Sequence, residues 1–207
     1  MVHLRREQYR SMPWRNGFGV TMEIAREPPV GGEFQWRLSL ATVATSGPFS
    51  TYAGFRRSVT LIEGEGFRLD IGAQEPVVLE SRGTTAMFPG EAPTHCTLIN
   101  GPCIDLSLMV REPGWIISVI RLQDAVTVPV PLEAGAFNAV FCLAAGTLVT
   151  YPGGPTTGRG THTRINLALH DTALLDQQAT AVSVAPSQDM STDMLLLTWK
   201  TATIDWQ

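Results

Sequence analysis

The sequence of 207 residues lacks an excess of positive charge and any long apolar run. Its 15 lysine and arginine residues are outnumbered by 19 acidic ones, which gives a formal net charge of −4. Nucleic-acid-binding proteins usually carry a basic stripe, whereas the densest basic clusters here are the pairs Arg5–Arg6 and Arg56–Arg57. No apolar run approaches the roughly 20 residues of a membrane-spanning helix, and the first residues lack the apolar core of a signal peptide. We therefore expect a cytoplasmic protein with no nucleic-acid partner and no membrane partner.

The cysteine and histidine patterns of a metal site are also missing. The three cysteines, Cys96, Cys103 and Cys142, show no CxxC spacing, and no histidine lies between His3 and His95. Because a bound metal ion needs about three or four converging side chains, we predict no metal and no other cofactor. Cys96 and Cys103 flank a predicted turn and could approach each other, but buried reduced thiols suit an intracellular chain better.

Charged residues are scarce, at 16% of the chain against roughly 25% in an average soluble domain. The 19 glycines and 14 prolines are spread along the whole chain, where they separate short stretches with strand-like patterns. In the clearest stretches, 20–25 and 36–41, apolar and polar residues alternate with the period of two that indicates a β-strand. The predicted strands are 20–25, 36–42, 57–63, 66–71, 84–88, 95–99, 104–110, 115–120, 138–143, 147–151, 163–169, 172–176, 181–184, 194–199 and 202–206.

Short strands at this spacing are typical of a sandwich or a barrel. The rhythm repeats after Pro113-Gly114, and each half has about 100 residues, which lies within the usual size range of a domain. We therefore predict an all-β protein with two jelly-roll-type β-barrels in one compact unit, a bicupin-like arrangement. The N-terminal cupin barrel spans residues 1–112, and the C-terminal cupin-like barrel spans residues 113–207.

Polar residues share one face of several predicted strands. Because side chains alternate along a strand, Thr21 and Glu23 lie on one side of the first strand. Arg37 and Ser39 do the same on the second strand, and Asp105 belongs to a third polar face. On a solvated outer face, a cross-strand ion pair between Glu23 and Arg37 would stabilise the fold by only about 0–1 kcal/mol. The alternative is a polar lining inside an open barrel, where arginine offers a forked donor to the carboxylate of a small ligand.

One stretch approximates the second sequence motif of cupins. Gly83 and the pair Pro89-Gly90 are followed by His95 and Asn100. In metal-binding cupins this histidine is a ligand, but the partner motif with its HxH and glutamate is missing upstream. We therefore interpret His95 as a structural or pocket histidine. Further on, the glycine-rich loop 153–161 lacks the lysine and the following helix of a phosphate-binding loop, so we predict a flexible hairpin loop there.

Several tracts of the sequence read as motifs. The richest is Pro13-Trp-Arg-Asn-Gly-Phe-Gly-Val-Thr-Met-Glu-Ile-Ala25, and it is followed by Phe34-Gln-Trp-Arg-Leu-Ser-Leu-Ala41. The others are Gly47-Pro-Phe-Ser50, the tracts 54–66, 88–93 and 105–110, and in the second half the tract 170–176. Together they resemble the HutD/Ves family of bicupins. The resemblance covers nearly the whole chain, with the strongest motifs in residues 13–110.

The resemblance implies a cupin fold with two barrels and an association with histidine utilisation. Members of the family are thought to bind a pathway metabolite such as N-formyl-glutamate, a small carboxylate, and the resemblance assigns no catalytic residue. Because cupins often dimerise through sheet edges, it also makes a homodimer a reasonable expectation. By matching position, the ligand-binding residues are Trp14, Arg15, Asn16, Thr21, Glu23, Arg37, Ser39, Arg57 and Asp105.

Two departures from the family pattern concern this set of residues. The family usually has three consecutive glycines where this chain has Gly17-Phe18-Gly19, so we expect Phe18 to narrow or reshape the mouth of the pocket. Ser107 replaces the asparagine of the family's DFNLM stretch, which removes an amide from the predicted pocket.

The leading hypothesis is a non-enzymatic binder of a small carboxylate that acts as a sensor or regulator in histidine utilisation. The runner-up is a metal-independent cupin enzyme, an isomerase or hydrolase that acts on a small polar acid with Glu23 or His95 as general acid or base. A third hypothesis is a purely structural or interaction protein, which a barrel interior packed with apolar side chains would support. The inward polar face with its arginines favours the first.

Overall fold

In the computed structural model, the described residues are 1–14, 19–123, 126–152, 162–186 and 191–201. Across these ranges the regular structure is almost entirely β, with one 3-10 turn at Arg6–Gln8 and no α-helix. No helical segment in these ranges has the length and apolar character needed to cross a membrane. In chain order the strands are β1 (Val2–Leu4), β2 (Arg10–Pro13), β3 (Gly19–Glu27), β4 (Trp36–Val43), β5 (Gly47–Pro48), β6 (Phe55–Glu63), β7 (Phe67–Ile71), β8 (Val77–Leu79), β9 (Thr85–Pro89), β10 (Thr94–Leu98), β11 (Cys103–Arg111), β12 (Trp115–Gln123), β13 (Val126–Pro131), β14 (Phe137–Ala144), β15 (Gly146–Pro152), β16 (Thr163–Leu167), β17 (Thr172–Leu175), β18 (Ala179–Pro186) and β19 (Asp193–Thr201).

The chain folds into two compact units. The N-terminal unit is Tyr9–Trp115, and the C-terminal unit combines Ile116–Gln207 with Met1–Gln8. The predicted boundary after residue 112 lies close to the observed one, but the prediction placed the first eight residues in the N-terminal barrel. They belong to the other unit because β1 pairs antiparallel with β17 and forms the edge of a sheet there.

The N-terminal unit contains two antiparallel sheets. A six-stranded sheet has the order β2-β3-β4-β11-β6-β9, and a four-stranded sheet has the order β5-β10-β7-β8. Apolar residues of both sheets, including Val59, Phe67, Leu69 and Phe88, form one buried cluster, so the two sheets face each other. Alternation along β7 buries Phe67 and Leu69 and exposes Arg68 between them, as expected for a strand with one face on the core.

The C-terminal unit also contains two antiparallel sheets, ordered β1-β17-β14-β19-β12 and β13-β18-β15-β16. Residues of both sheets, including Leu122, Val140, Leu148, Val182 and Leu196, form its apolar core. Each unit therefore has the two-sheet architecture of a jelly roll. The predicted all-β bicupin is confirmed, although the two sheets of a unit do not join into a single closed barrel.

Every predicted strand that falls within the described residues overlaps an observed strand. The structure adds five strands that the pattern did not predict, namely β1, β2, β5, β8 and β13. The strand predicted at 202–206 and the loop predicted at 153–161 lie outside the described residues.

The three cysteines are free, buried thiols, as predicted. Burial raises the pKa of Cys96 to about 12, and it raises the pKa of Cys142 to about 12 as well. Both thiols therefore stay neutral near pH 7 and act as small apolar side chains of the two cores.

Candidate functional site

The polar strand faces predicted from the sequence meet on the six-stranded sheet of the N-terminal unit. Val59 and Leu61 of this face belong to the buried cluster between the sheets, so it is the inner face. The side chains on this face form rows that run across β3, β4, β11 and β6. The first row is Thr21, Ala41, Asp105 and Leu61, and the second row is Glu23, Ser39, Ser107 and Val59. The third row has no member from β3 and consists of Arg37, Met109 and Arg57. Since neighbouring strands lie about 4.8 Å apart, the backbones carrying the two arginines are separated by roughly 10 Å.

Beside the apolar cluster, this inner face borders a cavity of about 480 Å³. Small-molecule sites usually measure about 300–1,000 Å³, so the cavity has the volume of a metabolite site. The six-stranded sheet contributes the polar part of the lining: Thr21, Arg37, Ser39, Arg57, Asp105 and Ser107. The same strands also contribute Ala41, Val43 and Met109, and residues from outside them complete the described lining: Met12, Pro13, Trp14, Pro48, Phe49, Ser50 and Tyr52.

Aromatic rings surround the Arg57 guanidinium and fix its orientation. Its central carbon lies 5.3 Å from the ring centre of Phe49, 5.5 Å from that of Tyr52 and 5.2 Å from that of Phe88. Its Nη1 donates a hydrogen bond of 3.1 Å to the Ser50 carbonyl oxygen. Stacking on aromatic faces suits arginine because its planar cation is only weakly hydrated. The side chain is therefore held rigidly without using all of its donors.

Arg37 is held in a similar way and also contacts Tyr52. Its guanidinium carbon lies 4.9 Å from the ring centre of Phe34 and 5.6 Å from that of Tyr52, and Nη2 donates to the Tyr52 hydroxyl at 3.4 Å. Tyr52 therefore contacts both arginines of the cavity. This shared ring fixes the two cations relative to each other.

Several buried polar atoms of the lining have no hydrogen-bond partner within the part of the chain that the structure describes. They are the Nε atoms of Arg37 and Arg57 and the Oγ atoms of Ser39 and Ser107. A buried polar group without a partner costs about 1–3 kcal/mol, so native proteins retain such groups mainly where water or a ligand satisfies them. All four atoms belong to residues that line the same cavity.

Asp105 is the acidic residue of this lining and is only 2% exposed. Burial raises the pKa of its carboxyl group to about 7, while the positive charge of Arg57 acts in the opposite direction. Burial also lowers the pKa of Arg57 from its ordinary value, and Asp105 partly opposes that shift. An arginine nonetheless remains protonated at neutral pH. Among the described residues, the cavity lining therefore carries two positive charges and one carboxyl group whose pKa is raised to about 7.

Trp14 and Thr21 line the cavity beside β2 and β3. The Trp14 indole nitrogen Nε1 donates to Thr21 Oγ1 at 2.8 Å, and the Trp14 amide donates to the Gly19 carbonyl at 2.9 Å. A Cβ atom on Gly19 would lie 2.7 Å from the indole ring and 2.7 Å from the Thr42 carbonyl oxygen. The last glycine of the family motif is therefore required here because the tryptophan packs directly on the backbone.

The structure brings most of the predicted site residues together. Six of the nine line the cavity, namely Trp14, Thr21, Arg37, Ser39, Arg57 and Asp105. Ser107, which departs from the family pattern, lines it as well. Arg15, Asn16 and Phe18 lie outside the described residues. The role of this set in ligand binding remains a prediction.

Glu23 is the exception among the described site residues. It is 7% exposed but does not belong to the described lining of the cavity. The register aligns Glu23 with Ser39, and an irregularity between Glu23 and Ala25 places Arg37 opposite Arg26. The described ion pairs do not include one between Glu23 and Arg37, because the register places Ser39, and not Arg37, opposite Glu23.

His95 lies on the exposed side of β10, opposite Pro48 and Asp70, and is not part of the described cavity lining. This corrects its interpretation as a pocket histidine, since the inward positions of β10 are taken by Thr94 and Cys96. Among the described residues, no group of three or more His, Cys, Asp and Glu side chains converges as a metal site would require.

The sequence did not predict that Phe49 and Tyr52 contribute aromatic rings to the cavity lining. Tyr52 lies in a segment without regular structure, and no periodic pattern points its ring at two arginines. Phe49 was part of a quoted motif tract, Gly47-Pro-Phe-Ser50, and that motif is the signal that could have identified it. Ser50 contributes a backbone carbonyl, for which side-chain patterns carry no information.

Comparison with known proteins identifies relatives over most of the chain. The sequence model of the HutD family matches residues 6–192. An uncharacterised 21.2 kDa protein in the hutC 3′ region of Pseudomonas putida is 41% identical over 107 residues, which is 51% of this chain and 56% of that protein. The protein Ves of Citrobacter koseri is 38% identical over 107 residues, or 50% of this chain and 56% of that protein. The alignments therefore span about half the length of these curated relatives.

Solved structures match along nearly the whole chain. HutD from Pseudomonas fluorescens SBW25, described for a formate condition, aligns with a TM-score of 0.77 at 28% identity and covers 97% of this chain and 98% of its own. A cupin 2 conserved barrel domain protein from Leptotrichia buccalis aligns with a TM-score of 0.55 at 13% identity, over 88% of this chain and 89% of its own. The second similarity shows the cupin fold alone.

Proposed function

The chain belongs to the HutD family, and from that premise we propose that its N-terminal unit binds a small carboxylate in the cavity beside Arg37 and Arg57. One observation carries the proposal. The two guanidinium groups are held by aromatic rings, yet each keeps a buried Nε without a hydrogen-bond partner in the described residues. A carboxylate offers two oxygens to such donors, and charge-assisted bonds of this kind are about twice as strong as neutral ones.

The charge of the lining supports an anionic ligand. Two arginines face one Asp105 carboxyl group, so the site is positive whether that carboxyl is ionised or neutral. Aromatic and apolar side chains enclose the arginines, which strengthens their attraction for an anion relative to open water. The Oγ atoms of Ser39 and Ser107 add two further polar groups for the remainder of the ligand.

The finer part of the proposal concerns the identity of the acid and the biological role of its binding. We take an N-formyl-glutamate-like metabolite as the first candidate for the ligand. The biological role that we propose for its binding is sensing or regulation in histidine utilisation. The name of the Pseudomonas putida relative, which refers to the hutC region, supports that metabolic context.

A thermal-shift panel tests the proposal. The panel contains N-formyl-glutamate, urocanate and glutamate. Glutamine, which lacks the side-chain carboxylate of glutamate, is included as a control. A ligand at 100 times its dissociation constant stabilises a fold by about 2.7 kcal/mol, so a selective binder raises the melting temperature measurably. We expect at least one acid to raise it and glutamine to have a smaller effect. Absent shifts across the panel would contradict carboxylate binding at this site, and a shift with glutamine as large as that with glutamate would contradict recognition of the side-chain carboxylate.

One observation favours a second candidate, a metal-independent enzyme. Asp105 has a pKa raised to about 7 by burial, which is the range of an efficient general acid or base at neutral pH. Asp105 thereby replaces Glu23 and His95 as the residue on which an enzymatic role would depend. Turnover of a panel acid that Asp105→Asn abolishes without weakening its binding would support this candidate, whereas binding without turnover supports the first.

A further inference from the structure

Asp105 is an unusual residue for the lining of a site that attracts anions. Its carboxyl group lies one row along the sheet from Ser39 and Ser107 and two rows from the arginines, on the same inner face. It is 2% exposed, and none of the hydrogen bonds found among the described side chains involves it. A second carboxylate entering this cavity meets a negative charge that water does not screen.

We infer that carboxylate binding in this cavity is coupled to the uptake of one proton by Asp105. The inference rests on the proposed function and adds that Asp105 loses its negative charge when the ligand binds. The balanced process is ligand carboxylate plus ionised Asp105 plus one proton from solvent, giving the complex with a neutral Asp105. The neutral carboxyl then donates its O–H to an oxygen of the ligand or of the site, where an ionised one would repel the ligand.

Charge arithmetic explains the coupling. With Asp105 ionised, the described part of the cavity lining has a net charge of +1, and with Asp105 neutral it has a net charge of +2. An N-formyl-glutamate ion carries two negative charges and matches the second state. Burial already raises the pKa of Asp105 to about 7, so little free energy separates its two forms near neutral pH. A like charge nearby raises the pKa of a carboxyl further.

The groups that face Asp105 come from every element packed around it. Arg57 of β6 opposes proton uptake through its positive charge, and Arg37 of β4 lies in the same row as Arg57. Cys96 of β10 and Cys103 of β11 have pKa values raised by burial, and both sense the charge of Asp105. The remaining titratable groups near it in the described part of the chain are Tyr52, whose hydroxyl meets Arg37, and Glu23, one row along β3.

Calorimetry separates this inference from the proposed function. N-formyl-glutamate is titrated into the protein at pH 7.5 in Mops and in Tris, two buffers with different enthalpies of ionisation and no small multivalent anion that would compete for the arginines. Proton uptake makes the observed heat depend on the buffer, because the proton comes from the buffer. We expect uptake of between about half a proton and one proton, and an affinity that falls up to about tenfold per pH unit between pH 7 and 8.5. The ligand's own carboxyl groups stay ionised throughout this range.

Each outcome has one meaning. Binding with a buffer-dependent heat supports proton coupling, and binding with the same heat in both buffers overturns it while leaving carboxylate binding intact. No heat of binding in either buffer contradicts the proposed function itself.

Three variants test whether Asp105 is the group that takes up the proton when the ligand binds. Asp105→Asn mimics the neutral carboxyl group, so it should bind N-formyl-glutamate with a pH-independent affinity and without proton uptake. Asp70→Asn is the matched control, since Asp70 pairs with Arg68 on the exposed side of β7. His95→Gln tests the single histidine of residues 9–115 as a competing source. Proton uptake that survives in Asp105→Asn would contradict the assignment, and wild-type calorimetry stands as the test if that variant fails to fold.

Discussion

The two units have the same two-sheet architecture but differ in what their inner faces carry. In the N-terminal unit, the central strands β4 and β11 present Ser39, Asp105 and Ser107 to a cavity. In the C-terminal unit, the central strand β14 contributes Val140 and Cys142 to a continuous apolar core. The comparison teaches that this fold is stabilised by an inner face that is mostly apolar, and therefore that the polar rows beside the cavity of the N-terminal unit serve a different purpose.

The buried Asn138 of the C-terminal unit and the cavity serines of the N-terminal unit also differ in their hydrogen-bond partners. In the C-terminal unit, Asn138 donates to the Ala136 carbonyl oxygen at 3.2 Å and accepts from Thr198 Oγ1 at 2.8 Å. Both ends of its amide are therefore satisfied by the chain itself. Ser39 and Ser107 of the N-terminal unit have no such partner among the described residues. The polar atoms of a binding site form their hydrogen bonds with the ligand, whereas those of a structural residue form them within the fold.

The largest effect is expected from placing one charge in each inner face. Val140→Asp puts an unpaired carboxylate into the apolar core of the C-terminal unit, at a cost of roughly 4 kcal/mol or more. Ser107→Asp puts the same group into a cavity lined by two arginines, so we expect a clearly smaller destabilisation than in Val140→Asp. Urea denaturation of both variants measures the difference. Equal destabilisation would contradict the distinction between a packed core and a binding cavity.

A second prediction concerns the pH dependence of stability. Because the pKa of Asp105 is raised from 3.8 in the unfolded chain to about 7 in the fold, the folded state binds more protons between these values. The stability contribution of Asp105 is therefore complete below about pH 4 and is lost as the pH rises to about 7. Asp105→Asn should remove this loss and be more stable than wild type at pH 8, by at most about 4 kcal/mol.

The measurement is the urea midpoint of both proteins between pH 4 and 8. Their difference should grow from near zero at pH 4 to its maximum above pH 7. A difference that stays constant with pH would show that Asp105 is not destabilised by burial.

A smaller effect is expected at the backbone that holds Tyr52. A Cβ atom on Gly90 would lie 2.3 Å from the Tyr52 carbonyl oxygen, so Gly90→Ala must push this segment away from β9. We expect a destabilisation of about 1–3 kcal/mol and weaker carboxylate binding, since Tyr52 contacts both arginines. Gly32→Ala is the control, because a Cβ atom there meets nothing within 4 Å. Binding that is unaffected in Gly90→Ala would show that the position of Tyr52 does not matter.

Local patterns predicted the architecture better than its long-range pairings. Strict alternation identified β3, β4 and β11, and with them the polar faces of Arg37, Ser39 and Asp105. β8 has three residues and β5 has two, which is too short for a period, and the prolines of β13 hide its alternation. β1 was missed because it is defined by its pairing with β17, some 170 residues away in sequence.

The candidate site was predictable only in part for a related reason. Arg57 lies on β6, where residues of both faces are buried, so alternation gives no signal and only the family resemblance pointed to it. Glu23 keeps its row beside Ser39, but the irregularity after it places Arg26 opposite Arg37, and no pattern in residues 19–27 indicates this shift. Tyr52 and Phe49 reach the arginines from segments outside the paired rows. Contacts of this kind depend on tertiary packing, which a single sequence does not encode at short range.

The most direct test of the central claim compares two adjacent arginines of β6. Arg57 lines the cavity, while Arg56 lies on the other side of the strand and pairs with Glu112 at 2.8 Å. Calorimetric titration with N-formyl-glutamate should show binding about 10- to 100-fold weaker in Arg57→Gln, because a hydrogen bond to a charged group contributes about 1.5–3 kcal/mol. Arg56→Gln should bind like wild type. Equal affinities in the two variants, or a greater loss in Arg56→Gln, would contradict carboxylate binding in this cavity.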